Sequence, residues 1–432
     1  MSESNRRVVV TGVGIVSPIG IGLDSFWENL SGGQSGISAI ERLSDTALPQ
    51  NVGGEVKEFT DSTAKKVYLK KQRKSIKIMC REIQLGVASA SLALEHSGLD
   101  PEQIDHTRLG IEFGANQMLS PPDVLKDAVG ACVEEETFNY GRWGADGLGG
   151  MEPLWLLKYL PNMPACHIAI FADARGPNNS LTHAEASGNL ALGEAYRVIV
   201  RGSADMMIAG TTGSRIDPTK GLHAALWDQL ASSGEDPATW SRPFDRDRMG
   251  QVVGEGACSF IIESEEHAKA RGADILGEIL GTGSSCVMNR DGQANIEAAM
   301  VNAIRSALNA AGVTTEDIGH INAHGLGEKN ADAREAAAIH AVFGDRATSV
   351  PVTALKSYIG NSGSGCGTLE LAGSLLGLKH GIVAPTLNYS NPDPECELNV
   401  VHNEPLAVNN KTVLNINVNS AGQASALVAC GV

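Results

Sequence analysis

Three groups of residues carry side chains able to do acid–base or nucleophilic work. The first is Gly176–Gly188, which reads Gly-Pro-Asn-Asn-Ser-Leu-Thr-His-Ala-Glu-Ala-Ser-Gly. Its polar residues end in a small-residue run, and an apolar-periodic pattern follows at Leu190, Leu192, Ala195, Tyr196 and Ile199. This predicts a loop turning sharply into a helix N-terminus. Such a turn projects one side chain into a pocket and aims unpaired backbone N–H groups at it. The second group is His320-Ile321-Asn322-Ala323-His324-Gly325. On a strand, histidines four residues apart stand about 13 Å from each other, so they cannot share one metal ion. No metal site is expected. The third group is Lys356-Ser357-Tyr358-Ile359-Gly360-Asn361, with a lysine and an amide ahead of further glycines.

The elements that must hold these groups alternate. Strands are predicted over Arg7–Gly14, Leu109–Gly114, Asp205–Gly210 and Ala257–Glu263, with a helix over Ile83–His96. The alternation repeats on a smaller scale in the second part. There, helices over Ile296–Ala311, Asp332–Phe343 and Leu369–His380 separate strands at Asp274–Gly281, Ile318–Ala323 and Val350–Ala354. Val413–Val418 and Ala424–Cys430 form a closing hairpin. Such alternation argues for an α/β protein with stacked, parallel-rich sheets and helices between them. No close internal sequence repeat is visible.

Composition narrows the function classes. The chain has 432 residues and a net charge of −16, which argues against non-specific nucleic-acid or anionic-membrane binding. No apolar run approaches the ~20 residues of a membrane span. No signal-peptide segment precedes the first strand, and eight scattered cysteines without a Cys-x-x-Cys pair suit a reducing, cytoplasmic setting. Gly12-Val13-Gly14 invites a dinucleotide reading, but Ser17 stands at the third glycine position and no suitably spaced acid follows, so no cofactor is expected. Lys65–Lys77 concentrates Lys65, Lys66, Lys70, Lys71, Arg73, Lys74 and Lys77 on an acidic protein. It is either a solvated face or a docking surface for an acidic partner.

Several longer stretches resemble one family, the β-ketoacyl-acyl carrier protein synthases. Val10–Gly20 resembles their opening strand and loop, and Ser241–Ala257 is a dense match. The resemblance runs from Val8 to Val428. It implies a thiolase-like five-layered α-β-α-β-α fold made of two similar halves, 1–265 and 266–432, and a two-fold dimer. It assigns Ser120–Ala165 to a cap and dimer contact, with apolar Pro153–Met163 as a tunnel wall, subunit interface or plain core helix. It also implies docking of an acyl carrier protein on Lys70, Lys71, Arg73 and Lys74. His324 falls on the first catalytic histidine, and Lys356 on the lysine of Lys-Ser-x-x-Gly-His.

Three positions depart from the family. Gly176–Gly188 resembles the nucleophile turn Gly-Pro-x-x-x-x-x-x-Ala-Cys-x-x-Gly, but Glu185 occupies the cysteine position. The second catalytic histidine is Asn361, an amide that can still donate to an oxyanion. The C-terminal gate, here Ile416 to Ala424 with Val418 and Ser420 as its gate residues, has Ser420 for phenylalanine and a single glycine. Smaller departures are Met249, Gln251 and the Leu326-Gly327-Glu328 run. An ionised Glu185 paired with His183, His324 or Lys356 is expected. Three roles follow: a partner subunit like the chain-length factors, a malonyl-carrier decarboxylase, or a general base. The readings to separate are a non-catalytic, chain-length-factor-like subunit and an enzyme of altered chemistry, in a homodimer or in a heterodimer with a cysteine-bearing ketosynthase.

Overall fold

The computed structural model describes residues 6–232 and 234–432. Eleven strands follow one another along its main sheet. They are β1 (Val8–Ser17), β2 (Leu109–Ala115), β3 (Asn178–Leu181), β4 (Met206–Ser214), β5 (Glu255–Ser264), β6 (Gly277–Cys286), β7 (His320–Asn322), β8 (Pro351–Thr353), β9 (Asn399–Val400), β10 (Thr412–Val418) and β11 (Gln423–Gly431). Their spatial order is β9-β8-β7-β10-β11-β6-β1-β5-β4-β2-β3, with Gly20–Ile21 pairing off β1. The helices that matter here are α1 (Arg81–Ser97), α2 (Met163–Ala172), α3 (Ser187–Val200), α4 (Pro218–Trp227), α5 (Ile296–Ala311), α6 (Lys329–Phe343) and α7 (Cys366–Lys379).

The same pairing occurs twice. In the first half β1–β5 and β5–β4 are antiparallel, while β4–β2 and β2–β3 are parallel. In the second half β6–β11 and β11–β10 are antiparallel, while β10–β7 and β7–β8 are parallel. Each first pair is interrupted by a register shift, after Val10 in β1 and after Ile279 in β6. The halves meet where β1 and β6 pair over Val8–Val10. Glycines explain how the outer helices approach these strands. A Cβ on Gly14 would lie 2.0 Å from the Ser89 carbonyl of α1, and one on Gly283 would lie 2.2 Å from the Ala303 carbonyl of α5. Only glycine permits that contact.

Helices α1 and α2 cover the first half, and α5 and α6 cover the second. Helices α3 and α7 lie between and pack on strands of both, giving five layers, α-β-α-β-α. Most of α7 is buried, and its apolar residues run around the whole helix, as a central layer requires. The inner core joins Val10, Phe26, Leu192, Phe260 and Leu369. Outer cores form around Met300, Ile321 and Ile339, and around Ile83, Ile111 and Ile208.

Two expectations change. Gly176–Gly188 is not loop throughout, because Asn178–Leu181 pairs in parallel with β2 as the last strand of the sheet. Its polar residues suit an exposed edge, where one row of backbone groups faces outward. Pro153–Met163 is not a core helix: Trp155–Tyr159 forms a single 3₁₀ stretch, with Leu154 and Leu156 exposed. Among the described residues no helix is long and apolar enough to cross a membrane.

Candidate active site

A cavity of about 550 Å³ opens beside the strand ends and is lined in part by Glu185, Arg215, His324, Glu328, Val418 and Ser420. One wall is dry. His324 follows β7, and the backbone N–H groups of His324 and Gly325 donate to Glu335 of α6 at 2.7 and 2.8 Å. Lys356 is 1% exposed. Its Nζ donates to Glu370 Oε1 at 2.6 Å, to the His324 carbonyl at 2.7 Å and to His324 Nδ1 at 3.2 Å. Asn417 Nδ2 donates to the other Glu370 oxygen at 2.7 Å. Burial is the largest single influence and lowers the Lys356 pKa, but the Glu370 carboxylate, with Cys366 and Glu335 adding, raises it on balance. Burial, aided by the Lys356 charge, holds His324 well below the usual histidine range. His324 is therefore neutral. Because Nδ1 accepts from Lys356, the ring proton sits on Nε2, and His324 lines the cavity.

The opposite wall is a polar network. Glu185 sits in a 3₁₀ turn, Ala184–Ala186, directly before α3. Ala184 adopts a left-handed φ of 46°, and the Ser187 hydroxyl accepts from the His183 N–H at 3.0 Å. Glu185 Oε1 accepts from Asn361 Nδ2 at 3.0 Å and lies 3.8 Å from the Arg215 guanidinium. Asn361 Nδ2 donates its second hydrogen to Gln251 Oε1 at 2.7 Å, and its Oδ1 accepts from the Gly363 N–H at 2.9 Å. Gln251 Oε1 also accepts from Arg215 at 2.9 Å, and its Nε2 donates to Glu328 Oε1 at 2.9 Å. Arg215 further pairs with Asp228. Burial pushes Glu328 up to about 7, with Gln251 opposing and Asp228 and Asp332 adding to the rise.

This geometry corrects two expectations. The cation beside Glu185 is Arg215, not His183, His324 or Lys356, because Glu370 already holds Lys356. Asn361 is not free to bind an oxyanion, since both its N–H bonds are engaged by Glu185 and Gln251. At the gate, Val418 ends β10 and Ser420 lies exposed in the turn that follows. Asn419 ties that turn down: its Oδ1 accepts from the Ala421 and Gln423 N–H groups, and its Nδ2 donates to the His183 carbonyl at 3.1 Å. Arg215 and Asp228 escaped sequence reasoning. The available signal was an arginine directly after the small-residue strand end Gly210–Ser214. A cysteine does stand nearby, Cys366, with Sγ 3.4 Å from Asn361 Oδ1. It is fully buried, and burial pushes its thiol up to about 11, so it is no acyl acceptor. Lys70, Lys71, Arg73 and Lys74 are exposed, with no ion pairs among the described residues.

Comparison with known proteins places this scaffold. Residues 5–268 match the model for the beta-ketoacyl synthase N-terminal domain, and residues 276–390 match that for the C-terminal domain. The chain belongs to the beta-ketoacyl synthase family. The tetracenomycin polyketide synthase ketoacyl synthase alpha subunit of Streptomyces glaucescens is 33% identical over 432 residues, covering 99% of this chain and 97% of that protein. The 3-oxoacyl-acyl-carrier-protein synthase 2 of Coxiella burnetii is 32% identical, covering 98% of each. Among solved structures, the ishigamide ketosynthase/chain length factor superposes with a TM-score of 0.83 at 28% identity, covering 99% of each chain. A type II ketosynthase in complex with its acyl-carrier protein gives 0.82 at 28% identity, covering 99% of this chain and 100% of that one. The fold is thus the thiolase-like fold of ketosynthases, and the chain is a ketosynthase/chain-length-factor-like member of the family.

Proposed function

We propose that this chain is a non-elongating, chain-length-factor-like subunit. It works in the cytoplasm beside an acyl carrier protein and a cysteine-bearing ketosynthase. The observation that carries this reading is the engagement of Glu185 by Asn361 at the acyl-acceptor position. A carboxylate there cannot hold an acyl group usefully, because the product is a hydrolysable anhydride. Asn361, the residue that could replace the missing histidine, has no N–H left for a thioester oxygen. A heterodimer supplies what the site lacks. The edge strand β3, paired among the described residues only with β2, is the natural seam for it. The free state of all eight cysteines suits a reducing compartment. One observation favours a second reading: His324 still lines an open cavity, and its Nε2–H can hold a thioester carbonyl. Under that reading the protein is an enzyme of altered chemistry, a malonyl-carrier decarboxylase or a Glu185-assisted acyl transferase.

The test incubates the protein with malonyl- and acyl-loaded carrier protein and follows products and protein mass by mass spectrometry, with and without Glu185→Ala. Neither elongation nor a covalent acyl adduct is expected. Turnover that Glu185→Ala abolishes would establish the enzyme reading instead. Carrier docking on the basic segment is tested separately. Charge reversal at Lys70, Lys71 and Lys74 should weaken carrier binding at low salt and matter little at high salt. Unchanged affinity at low salt removes that docking surface.

A further inference from the structure

The cavity wall carries more carboxylates than cations. Glu185, Asp228 and Glu328 line it, with Arg215 among them. That guanidinium is engaged by Asp228 and Gln251 and lies 3.8 Å from Glu185. Lys220 also lines the cavity, but its Nζ donates to Glu82 at 2.5 Å and to the Ser214 carbonyl at 2.9 Å. Asn361 uses one oxygen of Glu185, and Gln251 uses one oxygen of Glu328. The second oxygen of each has no hydrogen-bond partner among the described residues. Across the cavity stands an independent feature, His324. It is 4% exposed, its Nδ1 is held by Lys356, and its protonated Nε2 has no partner among the described residues.

We propose that this cavity binds an acyl group bearing a protonated amine, with His324 Nε2–H on the acyl carbonyl and the free oxygens of Glu185 and Glu328 on the ammonium. The inference rests on reading the cavity as an acyl-chain site. The chemistry discriminates in both directions. A carboxylate-bearing acyl group such as malonyl meets two carboxylates whose nearest cation is already paired. An uncharged alkyl group removes water from those oxygens and returns no hydrogen bond. An ammonium satisfies both, and the indole of Trp227 in the cavity lining adds a face that attracts cations.

The experiment uses small, non-hydrolysable amide analogues of N-acetylcysteamine thioesters carrying 3-aminopropionyl, butyryl or malonyl groups. Each is titrated into the full-length protein by calorimetry at low salt and pH 8, above the value of about 7 to which burial pushes Glu328. The aminopropionyl probe should bind about tenfold more tightly than the butyryl probe, as a partly desolvated charge pair allows, with malonyl weakest. Glu185→Gln and Glu328→Gln should each reduce that preference, and neither should lower the melting temperature. Equal affinity for the aminopropionyl and butyryl probes, tighter binding of malonyl, or no binding of any probe at millimolar concentration overturns the proposal. The probes lack a carrier, so binding of unacylated carrier protein, measured in parallel, reports the proposed function independently. Lost carrier binding with intact amine selectivity would overturn that function and leave this inference standing.

Discussion

The two walls of the cavity are built on opposite terms. On the dry wall Lys356 is 1% exposed and Glu370 and Asn417 are 0% exposed. On the wet wall the side chains of Glu185, Arg215 and Asp228 are 14%, 16% and 22% exposed. His324, Lys356 and Glu370 on the dry wall are the residues expected from the resemblance, whereas the expected departures Glu185 and Glu328 line the wet wall, with Gln251 and Asn361 buried behind them. Burial explains the contrast. A buried ion pair that loses one member leaves an uncompensated charge, so neither residue can change alone. Beside the partly exposed Glu185, Arg215 and Asp228 water replaces a lost partner at small cost, so these side chains can be exchanged one at a time. Chemistry can drift where the site is solvated while the frame behind it stays fixed.

The largest effect should come from breaking the dry wall. Lys356→Met leaves Glu370 buried with only Asn417 as a partner, and should cost about 3–5 kcal/mol in urea unfolding. Adding Glu370→Gln should recover part of that loss, because the isolated charge is then gone. A loss below about 1 kcal/mol would erase the energetic distinction between the walls.

A smaller effect should appear as pH dependence on the wet wall. Glu328 is pushed up to about 7, mainly by burial, and faces Gln251, Asp228, Asp332 and Arg215. The folded protein therefore keeps a proton that an unfolded glutamate releases from about pH 4.3 upward. The associated stability is complete below that value and is lost as pH rises to about 7. Burial raises Glu112, Asp332 and Glu335 into the same range, so unfolding measured from pH 4 to 8 should decline by more than one group, and Glu328→Gln should make that decline shallower by up to one proton's slope. Identical slopes in the two proteins would move the titrating group elsewhere.

How much of this was legible depends on what each residue answers to. The strands around Val8, Leu109, Met206 and Glu255 were visible because β-branched and small residues in short runs report burial on both faces. Strand β3 was hidden, since Asn178–Leu181 is polar and becomes a strand only because β2 offers it an edge. The twofold repeat was invisible in residue identities and plain in pairing, because topology tolerates any side chain that fits the layer. At the site, Glu185, His324, Lys356 and Asn361 could be picked out only through the resemblance to family motifs. Their partners could not: the pairing of Glu185 with Arg215 joins residues 30 positions apart across two strand ends. Motif spacing reports where a side chain starts, whereas its partner is set by the packing of separate elements.

The smallest effect should come from Glu185 itself. Glu185→Ala removes the hydrogen bond from Asn361 and the 3.8 Å approach to Arg215. Asn361 keeps Gln251 and Gly363, Arg215 keeps Asp228 and Gln251, and the vacated volume opens to the cavity. Water can take the freed N–H, so the loss should stay within about 1 kcal/mol. The backbone turn should survive, since the Ser187 hydroxyl and the His183 N–H hold it without the Glu185 side chain. A loss of about 3 kcal/mol or more would show that Glu185 is as tightly constrained as Lys356. The wet wall would then be a second fixed frame, and the Glu185 carboxylate a structural requirement of this chain.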